Sequence, residues 1–479
     1  MKKLFLFALA LFAAQLSQAQ WEPDFRLTSD TNASTLCWST QHAIAVCGDT
    51  IHVVWNDECN SHPEVYYKRS LDGGLTWESD VRLTNQADIV MYPSVAASRS
   101  IVQVAWMVGT NVGPPWYIEL FYIRSPDGGS SWGKITQMTY NFGETYMPCM
   151  AVSDSVTHLV YDDYHFNWGE IMYKRSTDMG LTWESDVRLT VDPAWSVTPS
   201  VCAVDSIVHV AWRDERDNDK LEIYYKRSTD WGITWGEDTR LSFDSLVSTR
   251  PSIAASGSNV YLVWQDHRDQ NAEIYFMKST DNGLTWGENI RLTNDPNQSW
   301  FPNLAVSEDH LFVFWEETRD GNREIYYKCS YDSGDTWGPD TRLTEDAAGS
   351  YRPFIAVSGS QLNVMWYDSR DGNYEIYYKR DPTGNLVVGI DDMAIVKSEK
   401  CITVFPNPAR RQLTVGSRQL AVRITIVDLY GREMKEFGDI SSFPYQADIS
   451  ELRPGIYLLK VYNKKGIIGI VKFTKSSAP

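Results

Sequence analysis

The sequence lacks the features that mark several common classes of protein. Only seven of its 479 residues are cysteine, and no two of them have the C-x-x-C spacing of a zinc or redox site. It contains no glycine-rich phosphate loop, no G-x-S-x-G elbow and no H-E-x-x-H pair. Beyond the first 20 residues, no apolar run approaches the roughly 18 residues that a membrane-spanning helix needs. We therefore predict no metal, no cofactor and no transmembrane segment.

Basic charge is also scarce, and the formal net charge is −18. Residues 401–479 carry 12 Lys and Arg against 6 Asp and Glu, a local balance of +6. Residues 20–400 carry 30 against 56, a balance of −26. Because so acidic a body repels a phosphate backbone, we predict no nucleic-acid partner.

The N-terminus has the pattern of an export signal. Lys2 and Lys3 precede an apolar stretch over residues 4–16, and residues 17–19 form a small-x-small cleavage site. We expect residues 1–19 to be a signal peptide. The mature protein is then secreted or held at the outer cell surface, by way of the periplasm.

An internal repeat dominates the rest of the chain. The octapeptide S-x-D-x-G-x-[TS]-W occurs six times, with successive starts 55, 51, 52, 51 and 51 residues apart. The copies are Ser70–Trp77, Ser125–Trp132, Ser176–Trp183, Ser228–Trp235, Ser279–Trp286 and Ser330–Trp337. Each period reads as four short strands, and a period near fifty of this kind is typical of propeller blades.

The third strand of the repeat occurs seven times, which predicts seven blades. The last copy, at Tyr377-Tyr378, lacks its outer strand, and Trp21–Thr28 aligns with the outer strand at Trp337–Thr344. We therefore predict an all-β fold, in which a seven-bladed β-propeller over residues 20–384 is closed by the N-terminal strand. A linker over 385–400 then leads to a small immunoglobulin-like β-sandwich over 401–479.

The octapeptide resembles the Asp-box, or BNR repeat, of sialidases and related propellers. Its aspartates are expected to accept backbone N–H bonds within a hairpin turn. Gly74 and its equivalents permit positive φ, and the tryptophan packs between strands. The motif marks the fold, so these residues are assigned a structural role: Asp72, Asp127, Asp178, Asp230, Asp281 and Asp332.

The C-terminal segment resembles the sorting domain of type IX secretion cargo. The matching elements are Val404–Pro408, Ile424–Gly431 and Ile449–Val461. The resemblance implies that residues 401–479 engage the type IX secretion machinery. The alternative is an immunoglobulin-like spacer without a sorting role.

Candidate ligand-binding residues lie on the face opposite the Asp-boxes. Carboxylates that recur in every blade are assigned to networks that lock the loops, because a single site needs residues that differ between blades. Aromatic departures from the repeat suit stacking on sugar rings, or else they cap the layer between blades. The candidates among these departures are Trp38, Trp116, Trp168, Trp195, Trp300 and Tyr351, with His165 as a candidate polar contact, and the links between blades also carry Tyr140 and Tyr146.

Arg250 and Arg352 precede inner-strand prolines near the mouth of the channel. The sialidase resemblance implies three arginines that clamp a carboxylate, a Tyr–Glu nucleophile and an acidic Asp. Here no third arginine and no single Tyr–Glu pair stands out. The main hypothesis is therefore a non-catalytic propeller that binds an extracellular glycan. The alternatives are a sialidase-like glycoside hydrolase and a protein-binding adhesin or envelope scaffold.

Overall fold

The computed structural model confirms the all-β fold. It describes residues 21–29, 32–36, 42–58, 62–85, 88–109, 117–140, 143–165, 168–217, 220–243, 246–382 and most of 402–476. Over these residues the chain forms strands and turns, and no helix is long and apolar enough to cross a membrane. The chain divides into two compact units, Met1–Leu386 and Val387–Pro479. The predicted signal peptide and linker lie outside the described residues.

The first unit contains seven antiparallel sheets, one for each predicted blade. Strand β1 (Phe25–Arg26) comes first in the chain. Blade 1 then contains β2 to β6: Ser34–Thr35, Ile44–Cys47, Thr50–Asp57, Glu64–Ser70 and Val81–Arg82. Blade 2 contains β7 to β10: Ile89–Ser98, Ile101–Gly109, Ile118–Ser125 and Thr136–Gln137. Blade 3 contains β11 to β14: Thr145–Ser153, Val156–Asp163, Glu170–Ser176 and Val187–Arg188.

The remaining blades repeat this order of inner, second, third and outer strand. Blade 4 contains β15 to β18: Ser196–Val204, Ile207–Asp214, Glu222–Ser228 and Thr239–Arg240. Blade 5 contains β19 to β22: Ser248–Ser256, Asn259–Asp266, Glu273–Ser279 and Ile290–Arg291. Blade 6 contains β23 to β26: Ser299–Ser307, His310–Glu317, Glu324–Ser330 and Thr341–Arg342. Blade 7 contains β27 to β29: Ser350–Ser358, Gln361–Asp368 and Glu375–Asp381.

The N-terminal strand closes the ring, as the alignment of Trp21–Thr28 predicts. Strand β1 pairs with β29, with Phe25 opposite Tyr378 and Arg26 opposite Tyr377. The inner strands contact one another in sequence around the propeller, and β27 of blade 7 contacts β3 of blade 1. Blade 7 thereby gains its fourth strand, and its third strand is not left as an open edge.

Large aromatic side chains fill the space between neighbouring blades. In the second strand of each blade an aromatic residue is at most 1% exposed: Trp55, Trp106, Tyr161, Trp212, Trp264, Trp315 and Trp366. Each Asp-box tryptophan packs edge-on against a third-strand ring of the preceding blade, as Trp77 does on Tyr378 at 4.9 Å and Trp132 on Tyr67 at 4.8 Å. The aromatic residues that recur along the sequence therefore form the hydrophobic core between the blades.

The turns formed by the six octapeptides share one pattern of hydrogen bonds. In the first copy, Asp72 accepts hydrogen bonds from the backbone N–H of Thr76 at 2.8 Å and from its hydroxyl at 2.6 Å. These hydrogen bonds lower the pKa of Asp72 to about 2. The other five copies share the carboxylate-to-backbone bond. The aspartates thus satisfy their own turns, as their structural assignment requires.

The carboxylates that recur in the blades are also engaged internally. Glu273, at the start of a third strand, accepts from Arg291 at 2.6 Å. Asp266, at the end of the second strand, accepts from Arg268 at 2.7 Å and from the Trp264 indole at 2.8 Å. Equivalent networks recur in other blades, so these charges hold the loops against the sheet.

The second unit is a small β region with one apolar core. Its strands, β30 to β36, are Ile402–Phe405, Gln412–Ser417, Arg423–Val427, Glu433–Gly438, Tyr445–Asp448, Gly455–Asn463 and Gly466–Lys475. They form one sheet in the order β30-β31-β34 and another in the order β33-β32-β35-β36. Leu413 and Val415 of the first sheet pack in the same core as Ile424 and Leu459 of the second.

Candidate functional site

One position in every blade and a second position in blades 2 to 7 differ in sequence although the surrounding backbone repeats. We call the residues at these positions the rim residues. The first position directly follows the second-strand aromatic, and it precedes the repeated carboxylate in every blade except blade 2, where Val108 follows: Asn56, Met107, Asp162, Arg213, Gln265, Glu316 and Tyr367. The second directly precedes the inner-strand proline in blades 2 to 7: Tyr92, Met147, Thr198, Arg250, Phe301 and Arg352. Because the strands are antiparallel, both positions lie at the blade end opposite the Asp-box.

The backbone at the second rim position is strained in the same way in six blades. All six residues have positive φ, between 49° and 58°. The inner strand shifts register there in each blade. A side chain that precedes proline strongly disfavours this conformation, and its recurrence in six blades makes it a feature of the repeat.

Three of the first-position rim residues stabilise the strained backbone of the next blade. In each case a side-chain oxygen accepts from a backbone N–H. Tyr92 N donates to Asn56 Oδ1 at 3.1 Å, Thr198 N donates to Asp162 Oδ2 at 3.4 Å, and Arg352 N donates to Glu316 Oε2 at 3.3 Å. Arg213 occupies the same position in blade 4 and has no acceptor atom. Its side chain therefore has a different role.

The two predicted arginines meet at one aromatic ring. The guanidinium carbon of Arg250 lies 3.8 Å from the centroid of the Phe301 ring, and that of Arg352 lies 4.7 Å from the same centroid. Arg352 also lies 5.6 Å from the Tyr367 ring. Neighbouring second rim positions of blades 5, 6 and 7 thus bring two cations onto one apolar surface.

The charge of a third arginine, Arg213, also acts on Arg250. The pKa of Arg250 is lowered to about 10, first by burial and then by the positive charge of Arg352. Glu316 opposes this effect, and Arg213 adds a smaller lowering. Among the described residues no hydrogen bond or ion pair neutralises the Arg250 guanidinium. We call Arg213, Arg250 and Arg352 the arginine cluster. Within this cluster Arg213 forms an ion pair with Glu215 at 3.5 Å. Arginines close together favour the binding of an anion.

Glu316 and Arg323 border the cluster on the side of blades 6 and 7. Glu316 is fully buried, and it accepts from Arg323 Nη1 at 2.8 Å as well as from the backbone of Arg352. Burial raises its pKa, against the opposing effect of Arg323. The Arg323 guanidinium lies over the rings of Trp300, at 4.9 Å, and Tyr351, at 5.4 Å. These two predicted aromatics are therefore already covered by a cation.

Asp162 borders the cluster on the side of blade 3. Burial raises its pKa to about 8, and its Oδ1 atom has no hydrogen-bond partner. Its partner across the sheet is Tyr146, whose hydroxyl donates to Glu144 Oε2 at 2.8 Å. Burial and this carboxylate raise the pKa of Tyr146. The structure thus contains a Tyr–Glu pair beside a buried acid, which the sequence analysis did not single out.

A row of aromatic rings continues outward from Tyr146. Tyr164 lies 5.3 Å from Tyr146 and 5.1 Å from Trp195, and Trp195 lies 6.3 Å from Trp168. Trp168 is 42% exposed. His165 is exposed, and its backbone N–H donates to Asp163. Trp38 and Trp116, also predicted to bind ligand, lie outside the described residues.

Sequence reasoning named Tyr146 among the aromatic departures and Asp162 in the unusual loop of blade 3, but it missed Arg213, the buried acid at Asp162 and the pairing of Tyr146 with Glu144. The signal for the first two was the variation at a single position between repeated residues, as in Trp212-Arg213-Asp214. The pair has no such signal, because it depends on how a link between blades folds back.

With this geometry in place, comparison with known proteins supports both resemblances. Residues 403–473 match the family model of the secretion system C-terminal sorting domain. The chain is 23% identical to a sialidase from Clostridium perfringens over 304 residues, which span 53% of this chain and 78% of the relative. It is also 23% identical to a sialidase from Paraclostridium sordellii over 308 residues, 55% of this chain and 75% of the relative.

A solved structure, the polysaccharide lyase Uly1, is 10% identical and shares the fold with a TM-score of 0.51, covering 75% of this chain and 99% of that one. The chain is therefore similar in sequence to sialidases and shares its propeller fold with this structure, and its residues 403–473 are similar to a secretion sorting domain. The sorting domain indicates secretion to the cell surface or beyond.

Proposed function

We propose that the propeller binds the carboxylate of an acidic sugar, with sialic acid as the leading candidate, at the arginine cluster. The observation that carries this proposal is the contact of Arg250 and Arg352 with the same Phe301 ring, at positions that vary between otherwise repeated blades. The charge of Arg213 acts on the same site. A planar guanidinium pairs with a carboxylate through two parallel hydrogen bonds, and such charge-assisted bonds are about twice as strong as neutral ones.

The surroundings of the cluster suit a sugar acid more than a free inorganic anion. Phe301 offers an apolar surface between Arg250 and Arg352. The C–H face of a pyranose needs such a surface, while its hydroxyls need polar partners. The relatives named as sialidases act on sialic acid, and this supports the choice of probe.

The roles of the nearby carboxylates favour binding without turnover. Both oxygens of Glu316 are already engaged, one by Arg323 and one by the backbone of Arg352. Asp162 likewise accepts from the backbone of Thr198. In blade 1 the amide of Asn56 serves the same purpose, so an ionisable group is not required for it.

Isothermal titration of the purified full chain with N-acetylneuraminic acid tests this proposal. We expect saturable binding that weakens about 10- to 100-fold in Arg250→Ala, because one or two charge-assisted hydrogen bonds are lost. Arg227→Ala is the matched control, since Arg227 lies at the Asp-box end of blade 4 and donates to Asn282 O. Absence of binding by the wild-type chain contradicts the proposal.

A second candidate function, hydrolysis of sialosides, is favoured by the Tyr146–Glu144 hydrogen bond beside Asp162. A tyrosine next to a carboxylate base is an activated nucleophile, and a buried acid with a raised pKa can donate a proton. This candidate predicts release of sialic acid from 3′-sialyllactose, with loss of release in Tyr146→Phe and unchanged affinity for N-acetylneuraminic acid. No release over a long incubation rejects hydrolysis and leaves the binding proposal standing.

A further inference from the structure

Blade 3 departs from the repeat at two positions where other blades anchor a loop. In blade 5 the loop between the second and third strands carries Arg268 and Asn271. The loop of blade 3 has the same length and carries His165 and Trp168 at these positions. The exchange replaces two polar anchors by an imidazole and an exposed indole.

The asparagine has a defined task in the blades that retain it. Asn271 Nδ2 donates to Glu273 Oε1 at 2.8 Å and to the backbone oxygens of Asp295 at 2.8 Å and Asn297 at 2.9 Å. Asn322 makes the same three bonds in blade 6. It thus ties the second-to-third-strand loop to the link between blades. Trp168 cannot do this, because its single N–H is the only donor of the side chain.

Trp168 lies in a cluster with Tyr164 and Trp195, in which neighbouring rings pack edge to face at interplanar angles of 66° and 80° and the Trp168 ring is the exposed one. We call these three residues the aromatic platform. Gly169 makes it possible, since a Cβ atom there would lie 2.5 Å from Val197 Cγ1 and within 3.4 Å of both Tyr164 and Trp195. Within the described part of the chain, no cation lies over the Trp168 or Trp195 ring. This distinguishes the platform from Trp300 and Tyr351, over which Arg323 lies.

The platform is continuous with the arginine cluster. Val197, which packs at Gly169, is the partner across the sheet of Arg213. Tyr164 contacts Tyr146, the partner of Asp162. A ligand that leaves the cluster toward blade 3 therefore meets the platform directly.

We propose that the platform is a second subsite, which stacks an uncharged sugar of the same glycan whose acidic sugar occupies the arginine cluster. This inference rests on the proposed function and adds the direction and minimum length of the ligand. The glycan runs from the cluster across blades 3 and 4, not across blades 6 and 7. An uncharged ring is the expected occupant because the platform has apolar faces, whereas the cations belong to the cluster.

The test compares two ligands by isothermal titration, N-acetylneuraminic acid and 3′-sialyllactose, on the full chain and on Trp168→Asn. This variant restores the residue of blades 5 and 6, and the link over residues 192–196 has the same length as that over 295–299. We expect its melting temperature to equal or exceed that of the wild type. Its affinity for 3′-sialyllactose should fall about five- to tenfold, while its affinity for N-acetylneuraminic acid stays unchanged.

Phe25→Thr is the control for loss of an exposed ring. Phe25 is 43% exposed on the outer strand of blade 7, and blades 4 and 6 carry threonine at that position. It should change neither affinity. If wild type binds neither ligand, the proposed function fails. If it binds both ligands equally tightly, or Trp168→Asn weakens both or neither, the second subsite is refuted and the proposed function is unaffected.

Discussion

The two ends of each blade are built from the same repeat but differ in what varies. At the Asp-box end, the carboxylate, the glycine and the tryptophan recur with nearly identical hydrogen bonds in six copies. At the opposite end, the rim residues range from methionine to arginine, on a strained backbone that recurs in six blades. The sequence is thus constant between blades at the end that stabilises the fold, and it varies between blades at the end where the ring can bind a ligand.

The two ends also differ within a single strand. In β12, His158 and Asp162 are both buried, four residues apart. His158 bonds Tyr173 at 2.7 Å, and Asp162 belongs to the rim. Burial lowers the pKa of His158 to about 3 and raises that of Asp162 to about 8. The same physical cause therefore gives the two ends opposite dependences on pH.

The largest expected effect is at the rim, in Asp162→Asn. The folded-state pKa of Asp162 lies above its unfolded value of 3.8, so the wild type loses stability as pH rises from 4 to 8. The loss is about 5 kcal/mol, since each pH unit between the two pKa values contributes about 1.4 kcal/mol. Asparagine does not ionise, and it keeps the bond from Thr198 as Asn56 does for Tyr92.

Urea unfolding at pH 4, 6 and 8 measures this effect. The free energy of unfolding of Asp162→Asn should increase relative to that of the wild type as pH rises. A constant difference across this range shows that Asp162 stays ionised in the folded state.

The next effect is at the Asp-box end, in Gly74→Ala. A Cβ atom at Gly74, where φ is +86°, would lie 2.1 Å from Tyr378 Oη. We expect a loss of about 4 kcal/mol, which combines overpacking with an unfavourable backbone. Gly372 has φ of +89° with no atom within 4 Å, so Gly372→Ala should lose only about 1 kcal/mol.

Chemical denaturation of both alanine variants separates packing from backbone conformation. Equal losses in the two variants refute the claim that close packing between blades fixes the Asp-box glycine.

The smallest expected effect concerns His158→Gln. Blade 2 carries Gln103 at this position, bonded to the Tyr122 hydroxyl at 2.8 Å. The folded-state pKa of His158 lies below its unfolded value of 6.5, so the wild type loses stability as pH falls below 6.5. At pH 4.5 this loss is about 2–3 kcal/mol.

Thermal unfolding of His158→Gln and wild type at pH 7 and pH 4.5 checks the sign. The melting temperature of the variant should rise relative to that of the wild type at the lower pH. A gain at pH 7 that vanishes at pH 4.5 contradicts the assignment of a buried neutral imidazole.

The fold could be predicted from the sequence because the octapeptide repeat occurs six times. The period, the Asp-box and the alignment of Trp21–Thr28 with Trp337–Thr344 were sufficient to predict seven blades and the closing strand. The sorting domain followed from its motifs, such as Val404–Pro408.

The site was accessible only in part. Arg250 and Arg352 stand out because they precede prolines, but their shared contact with Phe301 depends on the curvature of the ring. Arg213 lies on a different strand, and its approach to Arg250 depends on how blade 4 faces blade 5. Spacing along the chain carries no information about contacts between blades.

The most direct test of the central claim is the affinity of the wild-type chain for N-acetylneuraminic acid and for its methyl ester. The ester keeps the sugar and removes the negative charge that the arginine cluster is proposed to bind. We predict that the free acid binds at least tenfold more tightly than the ester, and that Arg250→Ala reduces this difference. Equal affinities for acid and ester would contradict carboxylate recognition by the cluster.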